Sequence, residues 1–436
     1  MDSTIFFNPV IISVILLCIL CLCKVNVLLS IMISAIVAGL TAKINITEIM
    51  NTFISGMGDN SETALSYILL GAFAAAMTQT GLASVLAKKI SKIIKNNAFI
   101  LLSILTGIAI LSQNLIPVHI AFIPILIPPL LNIMNTLKID RRAVACALAF
   151  GLKMPYIVIP AGFGLIFQGL IADNIVLNGM EVAKNDIWKS TWILGLGMFV
   201  GLLVAIFVSY RKPREYKTIE TNNQNEEQNL HFTKDHYITL FAAFVTLIIQ
   251  ITTKSLPLGA LIGLGIIFGT GTISHHKMDK LMDEGIGLMG YIAFVMLVAA
   301  GFAAVLKTTG GIDSFVSSIM AILPANKIIA SLFILLTGLF ITIGIGTSFG
   351  TIPILGVLFV PICINLNFNP AQTIALIAAA AALGDAGSPA SDTTLGPTAG
   401  LNADGQHNHI WDTCVPTFLH YNIALIIFAL IAVAIF

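Results

Sequence analysis

Charge is what this chain has little of. Only 10% of its 436 residues are Asp, Glu, Lys or Arg, against 57% hydrophobic, and the mean hydropathy is +0.96. A soluble chain of this length carries roughly a quarter charged residues, so an independent soluble domain is not expected. The net charge is +1, and no basic patch interleaved with aromatics is present, so nucleic-acid binding has no support. Cysteine is scarce. Cys18, Cys21 and Cys23 crowd one apolar stretch, where thiols behave as small apolar residues. Cys146, Cys363 and Cys414 are scattered and imply no disulfide framework. The absence of a phosphate-binding loop argues against an ATP-driven pump. The absence of a nucleophile elbow or a Ser-His-Asp spacing argues against an intramembrane hydrolase. Met1-Asp2 is not the basic start of a secretory signal, so the first apolar stretch is expected to stay as a helix.

What is present is long apolar runs. A full helical crossing takes roughly 20 apolar residues. Candidates are Phe6–Cys23, Val25–Ala42, Ala64–Leu86 and Ile187–Tyr210, then Tyr237–Thr253, Leu256–Ile273, Ile286–Leu306 and Val415–Phe436. Between these sets lies the one long polar segment, Arg211 to His236, which reads as a flexible linker. The chain therefore divides into a first transmembrane repeat (1–210), a linker (211–236) and a second repeat (237–436). The fold class is an all-α polytopic membrane protein whose main partner is the lipid bilayer.

The halves echo each other. Gly71-Ala72-Phe73-Ala74-Ala75 matches Ala300-Gly301-Phe302-Ala303-Ala304, and Ile123-Pro124-Ile125-Leu126 matches Ile352-Pro353-Ile354-Leu355. Phe73 and Phe302 are 229 residues apart, as are Pro124 and Pro353. Each half also breaks the span rule twice. Phe99–Leu111, a polar tip at Ser112–His119 and Ile120–Leu131 read as a re-entrant hairpin. Its counterpart is Ile328–Ile343, a tip at Gly344–Thr351 and Ile352–Ile364. An interrupted helix follows each hairpin: the first is expected to break at Gly151–Pro155 and again at Pro160–Gly162, the second at Gly384–Thr394. Short, Gly/Pro-interrupted segments at matching positions of two halves point to a transporter binding site.

Lys and Arg concentrate on the cytoplasmic side of membrane proteins. With the linker inside, 15 basic residues face the cytoplasm and 6 face out, leaving Lys153 within the membrane. Both ends of the first hairpin are then basic, while Lys327, Asn365, Asn367 and Asn369 flank the second, so the repeats are inverted and both termini lie outside.

Broken helices expose carbonyls and helix ends, and hydroxyl and amide oxygens add hard ligands of the kind sodium takes. Ser112, Gln113 and Asn114 are expected to converge with the first break, and Thr347 and Ser348 with the second. These residues could instead only satisfy hairpin backbone. Asp385 and Asp392 are the strongest single residues, because a carboxylate within the membrane marks an ion or substrate pathway by default. Each could bind a cation and accept a proton; helix capping, or pairing with Lys153, is the structural alternative. Lys153 could be that partner or hold a substrate carboxylate. Ser388, Ser391 and Thr393 complete the polar run. Sodium candidates are Asn114, Thr347, Ser348, Asp385 and Asp392. His119 and His420 read as core residues. His407 and His409 could bind metal, sense pH or sit in a solvated loop.

The run Gly384-Asp385, Ser388-Pro389-Ala390-Ser391-Asp392-Thr393-Thr394 resembles the signature of the NhaC-type sodium/proton antiporter family. Gly346-Thr347-Ser348-Phe349-Gly350-Thr351 is similar to an earlier element of that family. The resemblance implies the fold of the ion transporter superfamily, with inverted repeats, two re-entrant hairpins and two broken helices. It also marks Asp385, Ser388, Ser391, Asp392 and Thr347 as candidate site residues. Ala386-Gly387 stands where the family usually has a basic residue, and 395–407 is similar to a branch that includes amino-acid permeases, with histidine among the candidate solutes. The expected function is sodium/proton antiport by alternating access; the alternative is a sodium- or proton-coupled amino-acid symporter. A channel or structural membrane protein ranks below both. No resident cofactor is expected, only transported or coupling Na+ and H+. The expected location is the inner or plasma membrane of a prokaryote, with a homodimer as an open alternative.

Overall fold

The computed structural model describes residues 8–23, 25–82, 85, 97–114, 123, 126–217, 232–322, 326–389 and 391–436. Helices begin where short polar side chains can cap free backbone N–H groups. Asn8 caps α1 (Pro9–Leu22), Asn26 caps α2 (Val27–Thr41) and Asn45 caps α3 (Ile46–Met57). α4 (Ser61–Gln79), α5 (Ala98–Asn114) and α6 (Leu131–Thr136) follow. Asp140 caps α7 (Arg141–Val158); α8 (Phe163–Leu177) and α9 (Ile187–Val204) complete the first half. The second half runs through α10 (Lys234–Thr253), α11 (Leu256–Gly269), α12 (Met278–Thr308), α13 (Gly311–Ile322), α14 (Lys327–Ile345) and α15 (Ser348–Asn365). It ends with α16 (Pro370–Ala382), α17 (Asp392–Leu401) and α18 (Val415–Ile435). The described residues form no strand. Large apolar side chains such as Phe241, Phe244 and Phe340 point outward, as they do where lipid replaces water.

The internal repeat is present in three dimensions. Four pairs of helix starts are each 229 positions apart: Val27 with Leu256, Ala98 with Lys327, Arg141 with Pro370 and Phe163 with Asp392. Contacts repeat as well. A Cβ on Gly151 would lie 2.4 Å from Ala109, and one on Gly338 would lie 2.6 Å from Ala380. Gly151 and Ala380 occupy equivalent positions, as do Ala109 and Gly338, so the small residue has changed sides of one conserved helix contact.

The repeats are inverted. Lys327 Nζ donates to Asn367 O (2.7 Å), so both ends of the α14–α15 hairpin lie together. Asn369 donates to Phe436 O, which places this end at the C-terminal end of α18. Arg141 lies at the other end: it donates to Leu401 O, and neighbouring Arg214 meets Asp412 just before α18. α5 runs beside α7, with Gly151 packed on Thr106 and Ala109, and by the repeat it shares the starting end of α7 as α14 shares that of α16, where Lys327 Nζ donates to Gln372 Oε1 (3.1 Å). The two hairpins thus enter from opposite ends. The tip of the first, 115–122, lies outside the described residues.

Three expectations shift in detail. The second hairpin's polar tip shrinks to Gly346-Thr347, because Thr351 returns its hydroxyl to Thr347 O and Ser348 O and lets α15 begin early. α14 and α15 are each long and apolar enough to cross a membrane, but their shared outer ends make them a hairpin. The first helix does not break at Gly151–Pro155. α7 runs through Pro155 to Val158, and the single bend into α8 is 49°. Gly151 provides close approach to α5 rather than a break.

Candidate ion and substrate site

The second broken helix is shaped by two glycines. Gly384 (φ +79°) and Gly387 (φ +96°) adopt left-handed conformations that L side chains rarely reach. A Cβ at Gly384 would lie 2.6 Å from Leu339 O, and one at Gly387 2.7 Å from Phe418 N. The freed backbone is satisfied from within the protein, as it must be at membrane depth. Asn422 accepts from Gly384 N (3.1 Å) and donates to Ala386 O (2.9 Å). Thr394 donates to Ser388 O (2.6 Å), and Ser391 caps α17 by accepting from Thr393 N (3.2 Å).

This loop delivers Asp385 to a fully buried cluster. Its Oδ2 accepts from Lys153 Nζ (2.7 Å), Ser348 Oγ (2.5 Å) and Tyr156 OH (3.2 Å). Its Oδ1 accepts from Ser391 Oγ. Lys153 also reaches Ser348 Oγ at 3.3 Å, and Tyr156 meets the same hydroxyl at 3.0 Å. The Lys153 and Asp385 side chains are 1% and 4% exposed. Lys153 lies about 18 Å along α7 from Arg141 at 1.5 Å rise per residue. Three elements therefore converge midway through the bundle: the first broken helix, the second break and the second hairpin tip.

The predicted residues divide into two groups. Lys153, Ser348, Asp385, Ser391 and Thr393 share one hydrogen-bonded network, with Ser391 Oγ and Thr393 Oγ1 2.8 Å apart. Ser388 is buried in the same loop. Thr347 and Asp392 border an adjoining cavity of about 410 Å³, together with Tyr291, Val295, Ile345 and Leu395. That cavity runs from the hairpin tip along α17 toward the Arg141 end. Ser112 and Gln113 are buried at the end of α5, but no hydrogen bond joins them to the cluster among the described residues. The side chain of Asn114 lies outside the described residues. Tyr156 and Asn422 are site residues that sequence reasoning missed. Tyr156 was detectable: it shares a helical face with Lys153, three positions earlier, and stands 229 positions before Asp385. Asn422 had only its polarity within an apolar helix as a signal.

An aromatic layer closes the opposite side. Phe349 packs against Tyr67 (5.9 Å between centroids), Tyr156 (5.1 Å), Phe163 (6.0 Å) and Phe167 (5.7 Å). The cluster is therefore separated from the Asn369 end by rings, while on the Arg141 side the cavity at Thr347 and Asp392 adjoins it.

At the Arg141 end a polar clasp joins both broken helices to the linker. Arg141 is 0% exposed and bonds Asp404 twice, one bond being 2.6 Å, as well as Leu401 O. Tyr216 stacks on Arg141 at 4.2 Å, and Arg214 pairs with Asp412 at 2.8 Å. Burial works to raise the Asp404 carboxyl, but the Arg141 bonds and charge outweigh it and hold it below the usual carboxylate range. His409 does not face the cluster; it bonds Thr398 and Pro389 O. Among the described residues no group of three His, Cys, Asp or Glu could hold a metal ion. The cluster offers only oxygen ligands and one amine, a donor set suited to a hard monovalent cation and to protons.

A bundle of inverted helical repeats around a buried ion pair, with a cavity adjoining it on one side, defines a polytopic membrane protein that works as a secondary transporter and not as an enzyme. A family model described as the Na+/H+ antiporter family matches residues 147–433, and a second, described as the Na+-H+ antiporter family, matches residues 8–94. The chain belongs to the Na+/H+ antiporter family. It is 47% identical to an uncharacterized membrane protein of Vibrio parahaemolyticus over 98% of this chain and 99% of the relative. It is 45% identical, over the same shares, to the Bacillus subtilis protein named "Putative amino acid transporter YuiF". Among solved structures it resembles the YdaH transporter of Alcanivorax borkumensis, with a TM-score of 0.60 and 12% identity over 89% of this chain and 88% of that one. It also resembles Neisseria gonorrhoeae MtrF, with a TM-score of 0.57 and 16% identity over 88% and 84%. These likenesses establish the fold.

Proposed function

We propose that the chain exchanges sodium for protons by alternating access, with Lys153 and Asp385 as the exchange centre. The observation that carries this reading is their 2.7 Å ion pair, buried with three hydroxyl donors around one carboxylate. A buried charge needs a counter-charge. Sodium entering past Thr347 and Asp392 competes with the Lys153 ammonium for Asp385, and Ser348 and Ser391 supply further oxygen ligands. Once sodium neutralises Asp385, Lys153 has lost its counter-ion and releases a proton to cavity water, becoming the neutral amine. Loss of sodium reverses the step, so one sodium is traded for one proton at this centre. The Arg211–His236 linker lies in the cytoplasm in this reading, the Arg141 end faces inward, and the host membrane is the cell membrane of a prokaryote. The domain division at 1–210, 211–236 and 237–436 follows the same topology.

A second reading is cation-coupled uptake of an amino acid. The adjoining 410 Å³ cavity favours it, because that space exceeds what a bare sodium ion needs and its largely apolar wall carries one carboxylate, Asp392. The name of the Bacillus subtilis relative points the same way. Purified protein in liposomes separates the two. With a sodium gradient imposed, exchange produces a sodium-driven change in lumenal pH without any organic solute, and Asp385→Asn abolishes it. A silent pH trace with sodium-driven accumulation of labelled amino acid, histidine first, overturns exchange in favour of the second reading.

A further inference from the structure

A second cavity, of about 300 Å³, opens at the Asn369 end. It reaches inward to Pro160 at the bend between α7 and α8 and to Gln168 in α8, and its rim is formed by Lys184 in the turn before α9 and Trp188 in the first turn of α9. Part of its wall is the repeat counterpart of the cavity at Asp392. Leu256 stands here where Val27 stands there, Glu62 for Tyr291, Ser66 for Val295, Ile166 for Leu395 and Leu170 for Ala399; each pair is 229 positions apart. The two cavities thus share one stretch of the repeated scaffold and lie on opposite sides of the Lys153–Asp385 pair.

Their chemistry differs. Asp173 and Lys184 satisfy each other at 2.9 Å. One charge of each sign is then left over. Among the described residues the Glu62 carboxylate has no ion-pair partner, and Lys254 Nζ bonds only the neutral Asn185 Oδ1 at 2.9 Å. Gln168 lines the inner wall and is 2% exposed; its Nε2 donates to Ile157 O (3.2 Å), while its Oε1 has no hydrogen-bond partner. Trp188 adds an aromatic wall. The volume falls at the small end of ligand pockets, roughly 300–1,000 Å³.

We propose that this cavity binds an α-amino acid as its zwitterion. The ammonium group is held by the Glu62 carboxylate, the carboxylate by Lys254, and the side chain rests against Trp188. The site deepens the second reading above, as the outward capture point for the solute that reading requires. A zwitterion brings no net charge and matches the two spare charges together, whereas a bare cation leaves Lys254 unanswered.

Binding is measurable without transport. The chain has three tryptophans, Trp188, Trp192 and Trp411. In the full-length protein carrying Trp192→Phe and Trp411→Phe, Trp188 fluorescence is titrated with L-histidine, L-leucine and L-glutamate in detergent. Histamine and imidazolepropionate serve as probes lacking the carboxylate and the ammonium group. At least one amino acid is expected to give saturable quenching, with neither histamine nor imidazolepropionate quenching at tenfold higher concentration. Glu62→Gln and Lys254→Gln are each expected to raise Kd at least tenfold with unchanged unfolding midpoints, since both side chains are exposed. Quenching by none of the three amino acids, or Kd values unmoved by both substitutions, overturns the site. The same preparations in liposomes keep the claims apart. Saturable quenching without uptake supports the site and defeats amino-acid transport. Sodium-driven uptake without quenching supports transport and defeats the site.

Discussion

The two halves of the molecule share a scaffold and divide the chemistry. Asp385 stands in the second half where the first has Tyr156, and Asp392 where the first has Phe163. Gly396 corresponds to Phe167, Met296 to Tyr67 and Ala382 to Lys153. The first half therefore supplies the cation and most of the aromatic layer, and the second supplies the carboxylates and the space beside them. A strictly symmetric centre would set like against like, two carboxylates or two ammonium groups, which the membrane interior does not tolerate. Divergence between the repeats produces one neutral pair at the crossing point, with a cavity beside it on one side and rings on the other.

The comparison breaks most severely if either member of the pair is removed. Asp385→Asn leaves the Lys153 ammonium buried against neutral groups, and losing one partner of a buried pair costs about 3–5 kcal/mol. Transport is expected to vanish and the unfolding midpoint in detergent to fall clearly. The double variant Lys153→Met/Asp385→Leu removes both charges and is expected to recover most of that midpoint without recovering transport. A wild-type midpoint in the single variant would contradict the pairing.

Asp392 tests the open side. It starts α17, is only partly buried and borders the 410 Å³ cavity rather than the core of the pair. Asp392→Asn is expected to reduce cation-dependent transport about 100-fold, a loss of roughly 2.7 kcal/mol on the scale of 1.36 kcal/mol per tenfold. Protein level and unfolding midpoint should stay near wild type. Normal transport in this variant would make Asp392 a helix-capping residue only.

Much of this was legible in the sequence, because lipid narrows the options. The halves, the 229-residue register and the second break follow from apolar run lengths and from polar residues that bilayer chemistry does not tolerate without a purpose. Lys153 and Asp385 stood out for the same reason. What escaped was whatever looks ordinary in an apolar chain. Tyr67, Phe163, Phe167 and Phe349 have no pattern that distinguishes a closing layer from lipid-facing or core aromatics. Glu62 and Lys254 lie at span ends, where charge is unremarkable, and only folding brings them to one cavity. Pro155 misled in the other direction, since a proline inside a buried helix need not break it when neighbours satisfy the freed carbonyl.

The closed side gives a smaller effect. Phe349 touches four other rings of the layer. Phe349→Leu keeps an apolar side chain of similar bulk and removes the flat packing. The expected outcome is a several-fold rise in uncoupled sodium leak through liposomes holding the variant, with the pH-coupled flux reduced. Unchanged leak would place the barrier elsewhere.

The smallest expected effect concerns the clasp that fixes both broken helices at the Arg141 end. His407 is buried there, with Nε2 2.7 Å from Thr413 Oγ1. Burial pushes its imidazole down, Asp412 pulls it up, and Arg141 and Arg214 push it down further, leaving it at about 4 against the usual 6.5. A base whose folded value lies below its unfolded one stabilises the fold fully above the unfolded value, and that stability is lost as pH falls from about 6.5 toward 4. The clasp is therefore expected to be tightest near neutral pH and to loosen under acid, through the same linkage whether or not solute is bound. His407→Gln keeps a polar group beside Thr413 but cannot take up the proton. Comparing unfolding midpoints at pH 7.5 and 4.5, the wild type should lose a few degrees more than the variant. Equal losses would mean that the acid response of this end is carried by the carboxylates Asp404 and Asp412 instead, and the histidine would then be a spectator in the clasp.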